Sequence, residues 1–342
     1  MNFRDQLVAT EAAHGSMLCV GLDPEPARFP LPWRGDASSI FDFCAAIVDA
    51  TRDLVIAFKP QIAYFAAQRA EDQLERLVRH IHATAPGVPV ILDAKRGDIG
   101  ATAEQYAREA FERYEADALT LSPFMGLDSL QPYMRYQGKG LILLCRTSNP
   151  GGSDLQAQTL MSGSPRGDRE GDSTGNSTGD STGDSAGDGT GDGVSARPGD
   201  KLYELIARLA AGPWNSGGQM GLVVGATYPQ ELARVRELAP SLPLLIPGIG
   251  AQGGDAQATV RAAWRPGAPI IVSSSRAVLY AHADAPSMNA AAAAARAVAQ
   301  ATRQQLQAAR PAGAATATAT ATAAAAAGAA TTPFAAPQAK AG

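Results

Sequence analysis

Eight short apolar runs recur along the chain, at residues 17–22, 55–58, 88–92, 118–121, 141–145, 222–224, 244–246 and 270–272. Amphipathic or polar segments separate them. Runs that are apolar throughout cannot leave one face in water, so they suit strands of a parallel sheet covered by crossover helices. Between them the spacing predicts helices over 38–52, 71–84, 102–114, 229–238 and 287–309. In the second of these, Leu74, Leu77, Val78 and Ile81 repeat at three-to-four spacing, as on a helix laid against a sheet.

Two segments stand apart. From Gly163 to Gly191 a glycine recurs every fourth residue, with Asp, Ser and Thr between, and Ala186 alone interrupts the polar run 167–193. Such a segment cannot bury enough surface to repay ordering, and it lacks the large apolar position of a calcium-binding repeat. The expected disordered insertion spans 156–199, after the fifth run. A second low-complexity stretch, alanine and threonine closed by Pro333 and Pro337, makes 311–342 a disordered tail. The single remaining domain, within 1–310, is close to the roughly 250 residues of an α/β (β/α)8 TIM barrel. A doubly wound open sheet is the rival, but no glycine-rich dinucleotide turn follows the first run.

Composition narrows the partners. A net charge of −4 and a pI near 5.6 argue against nucleic acid and anionic membrane surfaces. Cys19, Cys44 and Cys145 are an odd number without metal-type spacing, as in a reducing compartment. Residues 1–10 are helix-like and carry no signal core, and no stretch has the apolar bulk of a membrane span. A soluble, cytoplasmic protein is expected.

Chemistry gathers where the runs end, which in a barrel is the catalytic face. The first ends in Gly21-Leu22-Asp23-Pro24, the second in Phe58-Lys59-Pro60-Gln61, the fifth in Arg146-Thr147-Ser148-Asn149-Pro150-Gly151. The third ends in Asp93-Ala94-Lys95-Arg96-Gly97-Asp98-Ile99. Strand alternation puts Asp93 and Lys95 on one face, where two carboxylates and an ammonium are costly unless they neutralise one another. Two readings stay open for that stretch: a loop in which Lys95 pairs with Asp93 while Asp98 caps the next helix, or an electrostatic site. The seventh run leads into Pro247-Gly248-Ile249-Gly250-Ala251-Gln252-Gly253-Gly254, and the eighth into Ser273-Ser274-Ser275-Arg276. Glycine N–H groups, a helix N-terminus and an arginine at these two positions suit a phosphate. His80 and His82 lie two apart on a helix and make a poor metal pair.

These motifs together resemble the orotidine 5′-phosphate decarboxylase family, in its longer bacterial branch, over almost all of residues 1–285. The charged spacing is shared with sister decarboxylases; its combination with Lys59, the glycines after the seventh run and Arg276 is far more specific. The resemblance implies conversion of orotidine 5′-monophosphate to UMP and CO2, the last step of de novo pyrimidine synthesis, without metal or organic cofactor. It implies an alternating tetrad of Lys59, Asp93, Lys95 and Asp98, in which Lys95 protonates C6 and Asp93 faces the substrate carboxylate. It further implies that Asp23 accepts a ribose hydroxyl and that Ser148 reads the pyrimidine. Pro247, Gly248, Gly250, Gln252, Ser275 and Arg276 would hold the phosphate end. Asp98, Ile99 and Thr102 would reach a neighbouring subunit's site, hence a homodimer. Ser275 departs from the family, where a glycine often precedes the arginine, and puts one backbone contact in question.

Two alternatives are a magnesium-dependent sugar-phosphate decarboxylase or aldolase of the same superfamily, and a silent nucleotide-binding barrel. The metal-dependent relatives carry a glutamate ligand where this chain has Lys59, whose charge opposes a divalent cation. Retention of all four tetrad residue types speaks against a silent binder.

Overall fold

The computed structural model describes residues 1–161, 197–249 and 254–311, and every one of the eight apolar runs overlaps a strand. They are β1 (Leu18–Leu22), β2 (Ala57–Pro60), β3 (Ile91–Arg96), β4 (Ala118–Leu121), β5 (Gly140–Arg146), β6 (Met220–Val224), β7 (Leu244–Pro247) and β8 (Ile270–Ser274). All pairings are parallel, in the order β2-β1-β8-β7-β6-β5-β4-β3. Parallel bridges Phe58–Val90 and Gln61–Asp93 join the two end strands and close the sheet into a barrel. Sequential neighbours all round leave no switch point, so the doubly wound alternative falls.

Two cores follow from strand alternation. Inside the barrel lie Cys19, Ala57, Ile91, Ala118, Ile142, Val223, Leu245 and Ile271, packed with Phe3 and Leu7 from below. Those two come from the helix Phe3–His14, which Asn2 caps by accepting from the Asp5 N–H. A Cβ on Gly140 would collide with the Phe3 ring, so β5 needs glycine where the plug enters. Outside the barrel, the larger core fills the space between sheet and helices. Helix Glu71–Thr84 has the expected bounds and buries Leu74, Leu77, Val78 and Ile81. Pro229–Leu238 also has the bounds its spacing predicts.

Differences sit at ends. The helix expected over 38–52 is Ile40–Thr51, because Asp36 caps a separate 3-10 turn, Ala37–Ser39. The one expected from Thr102 starts at Gly100, runs to Arg108 and widens into a π turn, Glu109–Arg113. Helices Leu202–Ala211 and Ala256–Ala263 were hidden by their alanine content and short apolar stripes.

The block 156–199 is wider than the segment without described structure. Thr159 bridges Lys201 in antiparallel fashion, and the Leu160 N–H donates to the Asp200 carbonyl at 2.7 Å. Residues 162–196 and 312–342, where disorder is expected, lie outside the described residues. Among the described residues no helix is long and apolar enough to cross a membrane.

Candidate active site

The barrel interior changes character one inward step above its apolar layer. Two residues beyond Ala57, Ile91, Ala118, Ile142, Leu245 and Ile271 come Lys59, Asp93, Thr120, Leu144, Pro247 and Ser273. All six line a 560 Å³ cavity at the C-terminal ends of the strands. Asp23, Lys95, Ser148, Gly248, Ser275 and Arg276 line it too.

Asp93 is its electrostatic centre. One carboxylate oxygen accepts from Lys59 Nζ at 2.8 Å, the other from Lys95 Nζ at 2.6 Å and from Thr120 Oγ1 at 2.9 Å. Lys59 and Asp93 are buried, at 5% and 7% exposure, so neither charge would survive there without the other. Burial by itself would raise the Asp93 pKa, yet Lys59 and Lys95 hold it well below the usual carboxylate range. Burial would likewise depress Lys59, but the charges of Asp93 and Asp23 carry its pKa above that of an ordinary lysine. The two groups therefore stand ionised side by side. The Lys95 side chain is about half exposed and faces the cavity mouth.

Lys95 reaches Asp93 by a route that strand alternation does not describe. Its φ is 47°, in the left-handed region that costs a non-glycine residue about 1–3 kcal/mol and recurs at functional sites. The β3–β4 register jumps there, from Leu92–Leu119 to Arg96–Leu121. The bulge turns the side chain back over the carboxylate.

Around this centre the loops present polar groups. Asp23, past the end of β1, has a buried Oδ1 with no hydrogen-bond partner, an acceptor facing the cavity. Tyr280 steadies that loop: its Oη accepts from the Glu25 N–H at 2.7 Å and donates to the Asp23 carbonyl at 2.9 Å. After β7, Gly248 adopts a φ of 102°, and a Cβ on Gly254 would lie 2.6 Å from the Gly248 carbonyl oxygen. Both glycines are thus needed for the turn to close. Arg276 opens the short helix Arg276–Leu279, and Ser275 leans over β1 where a Cβ on Gly21 would overlap its hydroxyl. Gly250 and Gln252 lie outside the described residues.

The loop after β5 rests on a buried strut. Arg146, 1% exposed, donates to Glu231 at 2.5 Å and to Ser153 Oγ at 2.9 Å, and stacks 4.1 Å above the Tyr228 ring. Gln156 folds back so that its Oε1 accepts from the Thr147 N–H at 2.8 Å. Ser148 is pressed against Gly225 of the neighbouring loop.

Three expected site residues do not enter this cavity. Asp98 turns to accept from the Ile99 N–H at 2.8 Å, and Ile99 itself is 55% exposed. Thr102 is exposed on the first turn of the following helix. Asp98 is therefore not that helix's cap, since the N-cap position is Ile99 and no side chain caps it. His80 and His82 do not meet; they pair with Asp49 and Asp117 at 2.9 and 3.0 Å. All three cysteines are free and buried. Among the described residues no three His, Cys, Asp or Glu side chains gather as a metal site.

Thr120 and Gln156 belong to the site and were not among the expected residues. Thr120 could have been found by counting two positions from the interior Ala118; Gln156 was masked by the polar composition that follows it.

Comparison with known proteins bears on the family. Residues 16–166 match the model of the orotidine 5′-phosphate decarboxylase / HUMPS family. An orotidine 5′-phosphate decarboxylase of Methylibium petroleiphilum is 65% identical over 292 residues, covering 83% of this chain and 92% of the relative. One from Polaromonas naphthalenivorans is 66% identical over 281 residues, covering 82% and 88%. Among solved structures, the Leishmania donovani OMP decarboxylase superposes with a TM-score of 0.68 at 35% identity, covering 91% of this chain and 99% of that one. With its barrel, its charged centre and relatives matched along nearly their whole length, the chain belongs to the orotidine 5′-phosphate decarboxylase family.

Proposed function

We propose that the protein converts orotidine 5′-monophosphate to UMP and CO2, the closing step of pyrimidine nucleotide synthesis, through the Lys59–Asp93–Lys95 centre. The observation that carries this reading is Asp93, gripped by two ammonium groups inside a cavity that Arg276 also lines.

The bond from C6 to the substrate carboxylate breaks, CO2 departs, and the electron pair stays on C6. That carbanion needs fixed positive charge already in place, because a preorganised charge costs no reorganisation at the moment of reaction. Lys95 Nζ supplies the charge and then the proton, leaving a neutral amine that solvent reprotonates. Asp93 stands where the substrate carboxylate would approach, and Lys59 keeps Asp93 ionised. Asp23 has the free acceptor a ribose hydroxyl needs, and Ser148, which lines the same cavity, would read the pyrimidine. In this reading Pro247, Gly248, Ser275 and Arg276, which line the cavity, serve the phosphate end, where binding energy can be realised at the transition state. Gly250 and Gln252, assigned to the same end by resemblance, lie outside the described residues.

A homodimer completes the tetrad in this reading, with Asp98, Ile99 and Thr102 serving the neighbouring subunit's cavity. Support comes from the rim beside Asp98, where Ile99, Phe124 and Met125 are exposed at 55%, 79% and 42%. Buried free thiols are consistent with the reducing cytoplasm.

The test is the fall in absorbance of orotidine 5′-monophosphate with purified protein, run with EDTA present. Turnover is expected to be unaffected by the chelator. No turnover at all would leave a silent binder, and turnover abolished by EDTA would point to the metal-dependent relatives.

A further inference from the structure

Thr120 makes three hydrogen bonds with one hydroxyl. It donates to Asp93 Oδ1 at 2.9 Å and accepts from the backbone N–H groups of Ala94 and Lys95, both at 3.0 Å. A threonine hydroxyl has one proton and two lone pairs, so its capacity is full and its proton has a single place to point. The two N–H groups it takes up belong to the bulge of β3, where the register jump from Leu92 to Arg96 leaves them without ladder partners on β4. Thr120 is 1% exposed, so water does not replace it.

We infer that Thr120 is the positioning residue that holds Lys95 in its left-handed conformation and aims its ammonium across Asp93. The hydroxyl touches both ends of the same side-chain contact. Through its lone pairs it fixes the Lys95 backbone, whose φ of 47° an L residue does not hold unaided. Through its proton it fixes Asp93 Oδ1, the same oxygen that receives Lys95 Nζ. Without it, two adjacent part-buried N–H groups lose their acceptor and the bulge can relax toward an ordinary strand. Lys95 then swings off the carboxylate while Lys59, on Oδ2, stays where it is. The β-branched methyl matters less than the hydroxyl, because it carries none of these bonds.

The kinetic arm rests on the decarboxylase reading; a second arm does not. Thr120→Val is isosteric and removes the hydroxyl, and Thr120→Ser keeps it. On orotidine 5′-monophosphate, Thr120→Val is expected to lose about a hundredfold in kcat, on the order of one well-placed catalytic interaction. KM and the affinity for UMP should stay within about threefold, and Thr120→Ser should recover most of the loss. Hydrogen exchange on the unliganded protein should show the Ala94 and Lys95 amides protected in the wild type and Thr120→Ser. In Thr120→Val they should exchange at least about tenfold faster, with the Leu92 and Leu119 amides unchanged. If Thr120→Val does not fold, Thr120→Ala takes its place in every measurement. Unchanged kcat in a folded variant lacking the hydroxyl, or a parallel loss of UMP affinity, overturns the inference. A wild type without decarboxylase activity overturns the reading of function, and amide exchange then decides the role of Thr120 by itself.

Discussion

Gly225 and Ser148 approach so closely that a Cβ on Gly225 would lie 2.8 Å from both the Cα and the Cβ of Ser148. Ser148, which lines the cavity, is thus seated by the absence of a side chain on β6's exit loop. Gly225→Ala must push the β5 loop outward, at the cost of about 1–3 kcal/mol that overpacking carries. The expected result is a KM for orotidine 5′-monophosphate raised by about tenfold with a smaller change in kcat. Steady-state kinetics beside Ser148→Ala would check it; a wild-type KM in the glycine variant would mean the loop yields without moving Ser148.

The two lysines should separate cleanly into one needed for turnover and one needed for folding as well. Lys95 is half exposed, and its loss leaves Asp93 still paired with Lys59. Lys95→Ala should therefore melt within a few degrees of wild type while losing all measurable turnover. Lys59→Ala strips a buried carboxylate of its buried partner, which costs about 3–5 kcal/mol. Urea unfolding of both variants would check the contrast, and equal destabilisation would contradict it.

Phosphate recognition should be separable from the charged centre. Arg276→Ala is expected to weaken kcat/KM on the nucleotide while leaving the slow reaction of the phosphate-free nucleoside unchanged. Added inorganic phosphite would probe the same point, since it can fill the emptied end only if the arginine is there to grip it. Equal losses on both substrates would mean that Arg276 acts through the tetrad.

Lys59 and Asp93 shift in opposite directions, and each shift adds stability in the neutral range. Asp93 is held below its ordinary value by the two lysines, against the effect of burial. Its contribution is complete above the unfolded carboxylate pKa of about 3.9 and fades as pH falls toward the folded value. Lys59 is held above its ordinary value, burial notwithstanding. Its contribution is complete below the unfolded pKa of about 10.4 and fades as pH rises through the folded value. Compared with a Lys59→Met, Asp93→Asn double variant, the wild type should show a stability gap that is flat from about pH 5 to pH 9 and narrows on both sides. Urea titrations at a series of pH values measure that gap; a slope through neutrality would contradict the assignment.

Much of this is legible in the sequence, for physical reasons. Buried parallel strands are apolar on both faces, so the eight runs announced themselves, and Lys59, Asp93 and Lys95 stood out as charges at their ends. Thr120 did not stand out, because a threonine inside an apolar run is an ordinary strand former; only its inward phase two residues past Ala118 marks it. Strand alternation put Lys95 beside Asp93 for a reason that proved incomplete, since a bulge and a positive φ bring it there. Asp98, Ile99 and Thr102 do not line this cavity; charge spacing points to Asp98, and resemblance alone to Ile99 and Thr102. Gln156 is not legible because it stands at the edge of a long polar segment, and only its side chain folds back to the Thr147 N–H.

The N-terminal helix has one more effect on how such an enzyme must work. Phe3 and Leu7 stopper the floor of the barrel beneath the apolar layer, so the chamber is blind at that end. Gas and nucleotide have to depart through the doorway by which the substrate came in, past the loops that follow β7 and β8. Each cycle therefore ends at the same opening where it began, so substrate cannot enter until product has cleared it.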